Sequence, residues 1–125
     1  MTESWVIDDG GTVPVSSEVV LEALRARVGR GRLETWLISS SGRSLGFVTN
    51  TERAMVMLLE TEGDPGGHAV VPGAVGSSRG FVLSDGQHDE YPDEDTVPIG
   101  EAFRLVEHIV GTGTWPADAC WVADR

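Results

Sequence analysis

The sequence contains no lysine, and all nine of its basic residues are arginine. Its 20 acidic residues outnumber them, so the formal net charge is −11 at pH 7. A chain this acidic repels the phosphate backbone of nucleic acids and the anionic surface of membranes. The composition therefore argues against a nucleic-acid-binding or membrane-bound protein and favours encounter with a basic protein partner.

Cysteine is almost absent too. Cys120 is the single cysteine, which excludes an internal disulfide and a cysteine-rich metal site. Because it lies in an apolar stretch, we predict an unreactive core residue. The three histidines, His68, His88 and His108, share no metal-ligand spacing with one another or with Cys120. We therefore expect no metal ion and no other cofactor.

Long apolar runs are also missing. The longest strongly apolar run covers residues 54–59, whereas a membrane-spanning helix needs about 20 residues. Glu3 stands where a signal peptide would carry basic residues, and no apolar segment follows it. These features predict a cytoplasmic protein.

The sequence does contain 40 % hydrophobic residues and four tryptophans, which is enough for one domain with a core over residues 1–125. We expect a short strand at residues 4–7 and a turn at residues 8–11. A first helix is predicted from a serine cap at Ser16 to Gly29, because apolar residues recur between them at helical spacing.

The middle of the chain is typical of strands. Residues 33–39, 44–49 and 54–60 alternate with short loops, which predicts an antiparallel meander. The near-continuous apolar run of the third strand predicts burial on both faces. Residues 61–78 are rich in glycine and indicate a loop, with brief pairing at residues 69–71. Asp85-Gly86 then predicts a hairpin with a type I′ turn.

A second helix is predicted after Thr96-Val97, with Pro98 in its first position. Its apolar face is the clearest in the chain: Ile99, Ala102, Phe103, Val106, Ile109 and Val110. A short strand at residues 119–123 follows. Tryptophans 5, 36 and 121 fall on predicted strands and are assigned to the core. The expected fold is α+β, a mainly antiparallel sheet (meander plus hairpin) with two amphipathic helices packed on one face.

The segment from Asp85 to Asp95 is the most unusual part of the sequence. It holds six acidic residues, and no lysine or arginine occurs between Arg79 and Arg104. A catalytic carboxylate pair needs one buried acid with a raised pKa, whereas a local run interrupted by Pro92 indicates solvent exposure. No Gly-x-Ser-x-Gly nucleophile motif occurs either. We therefore expect that the protein is not an enzyme.

An ordered series of motifs occupies the last third of the chain: Glu90-Tyr91-Pro92, Val97-Pro98, an amphipathic helix, Thr112-Gly113-Thr114-Trp115-Pro116 and Cys120-Trp121-Val122. This series resembles the first-numbered immunity-protein family of bacterial polymorphic toxin systems, which is common in actinobacteria. The early helix and central meander of that family also fit residues 16–60. The quotable motifs are confined to residues 90–122, and they are turns and helix ends.

The resemblance implies a cytoplasmic inhibitor that binds a cognate secreted toxin domain, often a deaminase or a nuclease. Such a toxin needs a basic cleft, and an acidic surface can cover it by mimicking phosphate. The expected contact residues are acids together with Tyr91, the one aromatic anchor among them: Asp85, Asp89, Glu90, Tyr91, Asp93, Glu94 and Asp95.

Other readings stay open at this point. The acidic segment is equally typical of a solvated loop. The chain also fits a small ligand-binding or regulatory module that uses the glycine-rich residues 63–80 over a pocket. A small hydrolase or metal enzyme using the acids is a third alternative. The oligomeric state is left open.

Overall fold

The computed structural model describes residues 3–9, 13–61 and 63–124. Two α-helices and ten strands follow one another in these ranges. The strands are β1 (Trp5–Ile7), β2 (Pro14–Val15), β3 (Glu34–Ser39), β4 (Ser44–Thr49), β5 (Arg53–Leu59), β6 (Gly67–Ala69), β7 (Ser77–Val82), β8 (His88–Pro92), β9 (Val97–Pro98) and β10 (Trp121–Ala123). The helices are α1 (Val20–Gly29) and α2 (Ile99–Thr112). Neither helix is long and apolar enough to cross a membrane within the described ranges.

Eight strands form one sheet in the order β10-β6-β5-β4-β3-β1-β2, with β9 paired to β5 beside this path. Every pairing in it is antiparallel. The meander of β3, β4 and β5 forms its centre, as predicted, while β7 and β8 form a separate hairpin. The α+β prediction is therefore confirmed.

The core lies between one face of the sheet and the helices. Side chains alternate along β3, where Thr35 and Leu37 are buried and Trp36 is half-buried on the opposite face. On α2, five of the six residues predicted for the apolar face are buried, Ile99 is half-buried, and Leu105 is buried in addition. Phe103 stacks on Phe47 of β4 with ring centroids 5.6 Å apart, which fixes α2 over the centre of the sheet.

Both helices begin later than the sequence predicts. Val20 is the first residue of α1, and no side chain caps it; the carbonyl of Ser16 instead accepts hydrogen bonds from the amides of Val19 and Val20. Gly29 is the last residue of α1. The glycine with left-handed backbone that follows the helix is Gly31, with φ 81°. Pro98 precedes α2 as its cap because it is held in strand β9 against β5.

Burial in the central strands also differs from expectation. Residues of β5 alternate between buried and half-buried, whereas β4 is buried at five of its six positions. Strand β4 is buried at more positions because a side chain of the neighbouring strand β3 covers its second face. A Cβ at Gly46 would lie 2.7 Å from the Trp36 ring, so that indole rests directly on the β4 backbone. Strand β4 is thus the strand enclosed on both faces.

The predicted hairpin is present, but its turn is of another type. Gly86 has φ 88°, whereas Asp85 does not have positive φ, which a type I′ turn requires of both residues. The amide of Leu83 donates to the carbonyl of Gln87, so the turn is a three-residue loop with Gly86 in the left-handed position. Pairing in the glycine-rich segment occurs at Gly67–Ala69, earlier than the predicted 69–71.

Two further predictions concern the ends of the chain. The turn predicted at residues 8–11 is present at Asp8 and Asp9, and its second half, Gly10-Gly11, lies outside the described residues. Cys120 is exposed, so its assignment to the core is wrong. The physical reason is that β10 is the outermost strand of the sheet and only three residues long.

Candidate functional site

The acidic segment folds as strand β8 followed by a single 3-10 turn, Asp93–Asp95. Phe81 on β7 holds it in place, since its side chain is completely buried and meets the ring of Tyr91 edge-on at 4.8 Å. The loop of the hairpin docks on β3, because Ser84 donates two hydrogen bonds to Oε1 of Glu34. The segment is therefore a fixed surface on the rest of the protein.

Tyr91 and Asp89 lie on the inner side of β8. The Tyr91 hydroxyl donates to Oδ2 of Asp89 at 2.6 Å, and Gln87 donates to Oδ1 at 2.7 Å. Burial, followed by the Asp89 carboxylate, raises the pKa of Tyr91 above its ordinary value, while the Tyr91 hydrogen bond lowers the pKa of Asp89. The polar end of Tyr91 is thus used within the protein, and only the half-exposed part of its ring faces outward.

Asp93 and Asp95 hold the turn itself. Asp93 Oδ1 accepts a hydrogen bond from Ser78 at 2.5 Å and lies 3.7 Å from Nε of Arg53. Arg53 also donates to the carbonyl of Asp93 and to the hydroxyl of the buried Thr96. Asp95 contacts a ring nitrogen of His68 at 2.9 Å. These two carboxylates stabilise the joint between β8 and α2.

Asp85, Glu90 and Glu94 are the exposed acids of the segment. Their internal contacts are surface hydrogen bonds from the amide of Gln87, the hydroxyl of Ser77 and the amide of Gly73, respectively. Glu90 also lies 3.5 Å from Arg79, whose side chain is 86 % exposed. The structure thus collects all seven predicted contact residues on one hairpin and turn, with these three carboxylates directed most freely to solvent.

His68 connects Asp95 of the acidic segment to Asp124 near the end of the sheet, a contact that the sequence spacing did not predict. Its Nδ1 lies 2.6 Å from Oδ1 of Asp124, and its Nε2 lies 2.9 Å from Oδ1 of Asp95. Strand β6, the 3-10 turn and the residue after β10 are therefore linked through one imidazole. Within the described part of the chain, no three His, Cys, Asp or Glu side chains are grouped so that they could hold a metal ion.

A second feature is an open groove of about 530 Å³ at the end of the sheet. Its floor is the helix-side face of β5, β6 and β10, and its wall is the segment at residues 113–119 that follows α2. The apolar lining consists mainly of Leu58, Gly66, Gly67, Trp115, Pro116, Ala119 and Trp121. The charged residues on it are Arg43, Glu60 and Asp64.

Trp121 dominates this groove. Its indole stacks on that of Trp115 with centroids 5.5 Å apart and an angle of 11° between the planes. A Cβ at Gly67 would lie 2.8 Å from the Trp121 ring, so glycine makes the space in which the indole lies. Trp121 nevertheless remains 47 % exposed, and its assignment to the core is wrong. Of the other two tryptophans assigned to the core, Trp5 is buried and Trp36 is half-buried.

The groove was not predicted because its residues come from three distant stretches of the sequence. The nearest signals are the pair Gly66-Gly67 and the two tryptophans in the closing motifs, each of which also fits a turn or a core strand. Only the pairing of β6 with both β5 and β10 brings them together.

No protein-family model matches the chain, and no curated protein matches it. The acidic hairpin and the groove beside Trp121 are the two features of the described residues from which a function can be inferred.

Proposed function

We propose that this protein is an immunity protein that neutralises a cognate secreted toxin domain, one that acts on nucleic acid as a deaminase or a nuclease, by stoichiometric binding. The observation that supports this most is the concentration of six carboxylates on one fixed hairpin and turn, in a chain of net charge −11. The contact residues are Asp85, Asp89, Glu90, Tyr91, Asp93, Glu94 and Asp95.

Charge complementarity supplies the physical argument. A toxin that handles nucleic acid exposes a basic cleft, and carboxylates can occupy it as phosphates would. Attraction between opposite potentials raises the association rate and disfavours wrong partners more than it adds affinity. An inhibitor that must reach its toxin before the toxin reaches nucleic acid benefits from fast association.

The internal contacts of the hairpin add to this argument. Phe81 and Tyr91 pack together behind the acids, and Arg53 fixes the turn at Asp93. A surface held in its binding conformation loses little conformational entropy when the partner docks. The half-buried acids therefore support the geometry, and the exposed Asp85, Glu90 and Glu94 provide the long-range attraction.

Co-expression with the toxin domain encoded beside this gene tests the proposal. We expect cells that produce both proteins to survive, and the two proteins to co-purify as a complex of fixed stoichiometry. A catalytically inactive toxin serves as the bait for the purification, so that binding is measured apart from survival. Death of the co-expressing cells together with failure of the inactive toxin to co-purify would reject the proposed function.

A further inference from the structure

The groove beside Trp121 lies apart from the acidic hairpin, and its exposed aromatic surface needs an explanation. Trp121 and its neighbour Val122 are 47 % and 45 % exposed, on a strand with no further strand beside it in the described sheet. Exposed tryptophan is rare on surfaces without a partner and is enriched at the centres of protein interfaces.

The charged residues around the groove indicate which charge a bound group should carry. Glu60 and Asp64 bring two carboxylates to the lining, and the side chain of Glu60 is 60 % exposed. Arg43, the cation among these lining residues, pairs with two carboxylates, since its Nε lies 3.0 Å from Oε2 of Glu3 and its Nη1 lies 3.4 Å from Oε2 of Glu60. The lining and Glu3 together thus bring three carboxylates, those of Glu3, Glu60 and Asp64, against one guanidinium. Stacked indole faces also attract cations, since their π-electrons present negative potential. The groove therefore favours a positively charged group with an apolar stem.

The backbone of β10 indicates what kind of molecule can bind beside the groove. The carbonyl of Cys120 accepts a hydrogen bond from the amide of Val70, and the amide of Asp124 donates to the carbonyl of Gly66, on either side of β6. The backbone groups of Cys120 and Asp124 are therefore directed toward β6. Along an antiparallel strand, the backbone amide and carbonyl groups of successive residues point alternately toward the paired strand and away from it. The amides and carbonyls of Trp121 and Ala123 are therefore directed to the free edge, where an extended peptide can add as another strand.

We propose that the groove and the β10 edge together bind an extended segment of a partner protein and receive an arginine or lysine side chain from it. The segment pairs with Trp121 and Ala123 along the edge. Its cationic side chain lies along the indoles with its charge toward Glu60. This inference rests on the proposed function, in which the partner is the basic toxin domain, and it assigns to Trp121 an anchoring role in addition to that of Tyr91.

A peptide experiment tests the groove without the toxin. The probe is a capped peptide, Thr-Val-Arg-Val-Thr, and its control carries uncharged citrulline in place of arginine. We expect the arginine peptide to shift the indole N–H resonances of Trp115 and Trp121 in ¹⁵N spectra, and the citrulline peptide to bind about tenfold more weakly. Equal binding of the two peptides, or shifts confined to other parts of the protein, would overturn the assignment of a cation site.

Two further experiments test the β10 edge and the groove separately. Methylation of the peptide amides on both sides of the arginine removes the strand hydrogen bonds, and we expect it to abolish binding; undiminished binding would overturn the pairing with β10. Glu60→Gln keeps the shape of the side chain and removes its charge. We expect this variant to reduce the preference for arginine over citrulline, and an unchanged preference would contradict the role of Glu60.

The complex with the toxin distinguishes this inference from the proposed function. Trp121→Ala should raise the dissociation rate about tenfold or more, while Val13→Ala, an exposed apolar residue beside β2 at the opposite edge of the sheet, should leave it unchanged. Tight toxin binding that is insensitive to Trp121→Ala rejects the groove and keeps the immunity function. If no toxin is neutralised but the arginine peptide still binds selectively, the proposed function fails, and the groove stands as a receptor for a basic segment.

Discussion

Arg43 shows how one side chain can connect several parts of a small protein. Its guanidinium donates to Glu3 near the start of the chain and, from Nη2, to the carbonyl of Gly113 at the end of α2 at 2.7 Å. It also lies over the buried Trp5 ring, 5.6 Å from the centroid. The hydrogen bond from Arg43 is the largest cause that lowers the pKa of the Glu3 carboxyl, to about 2 from its ordinary 4.5.

This depressed pKa predicts a pH-dependent contribution to stability. Because Glu3 is easier to ionise in the folded state, its stabilisation is complete above about pH 4.5 and is lost as the pH falls toward 2. We expect Glu3→Gln to lower the free energy of unfolding by about 1–2 kcal/mol at pH 7. Urea denaturation of both proteins between pH 7 and pH 2 checks this. A difference that persists undiminished at the lowest pH would show that the charge of Glu3 is not responsible.

Gly46 is a second residue whose neighbours determine what can replace it. A Cβ there would lie 2.7 Å from Cη2 of Trp36, so the indole, which donates a hydrogen bond to Glu34, would have to move away from β4. We expect Gly46→Ala to destabilise the protein by about 1–3 kcal/mol, measured by thermal or chemical denaturation.

The matched control for Gly46→Ala is Gly100→Ala in α2, where a Cβ would have no neighbour within 4 Å. Alanine is the better helix former, so stability should be unchanged or increased by up to about 1 kcal/mol. Equal losses in both variants would mean that contact with Trp36 is not the cause.

Whole elements were predicted well where hydrophobic periodicity defines them. The meander and the apolar face of α2 were predicted because side-chain alternation and helical spacing are local properties of the sequence. The first residues of α1 and α2 were not, since Ser16 acts through its carbonyl and Pro98 is held by pairing with Arg53. The pairing of Pro98 depends on a residue far away in the sequence, which local patterns do not reveal.

The contact of His68 with Asp95 and Asp124 is also made between elements that are distant in sequence. It predicts that His68→Ala loosens β10, because the imidazole connects the residue after β10 to the 3-10 turn. We expect the amides of Val70 and Asp124, which form the ladder between β6 and β10, to exchange hydrogen about tenfold faster. Hydrogen-exchange NMR measures this residue by residue.

His88→Ala is the matched control for the exchange experiment, since His88 is an exposed histidine on β8. Exchange at Val70 and Asp124 should be unaffected by it, and amides of β4 should be unaffected by either variant. Unchanged exchange at both sites in His68→Ala would show that β10 is held by its strand pairing alone.

At the level of the whole molecule, the acidic hairpin could be predicted from local sequence, whereas the groove could not. The acidic hairpin was found because its residues are consecutive, from Asp85 to Asp95. The structure adds which carboxylates are used internally, a property that depends on the positions of Arg53, Ser78 and His68. The groove was missed because its lining is assembled from several separate segments.

The difference between internally bound and exposed carboxylates determines which of them should be replaced to test the electrostatic role of the hairpin. Neutralising Asp93 and Asp95 would remove contacts with Arg53 and His68, so a binding defect could not be separated from unfolding. Replacing Asp85, Glu90 and Glu94 by their amides keeps an oxygen that can accept each surface hydrogen bond. We expect this triple variant to keep the stability of the wild type within about 0.5 kcal/mol.

The same triple variant should associate with the toxin more slowly, with a weaker dependence on salt, because the attraction that guides encounter is screened over about 10 Å at 0.1 M ionic strength. The control variant replaces three exposed acids elsewhere, Glu18, Glu22 and Glu107, by glutamine, which changes the net charge equally. Stopped-flow association at low and high salt compares the two. Because net charge alone would slow both variants alike, slower association confined to the hairpin variant would locate the basic cleft of the toxin at β8 and its turn, whereas identical rates would place the interface elsewhere.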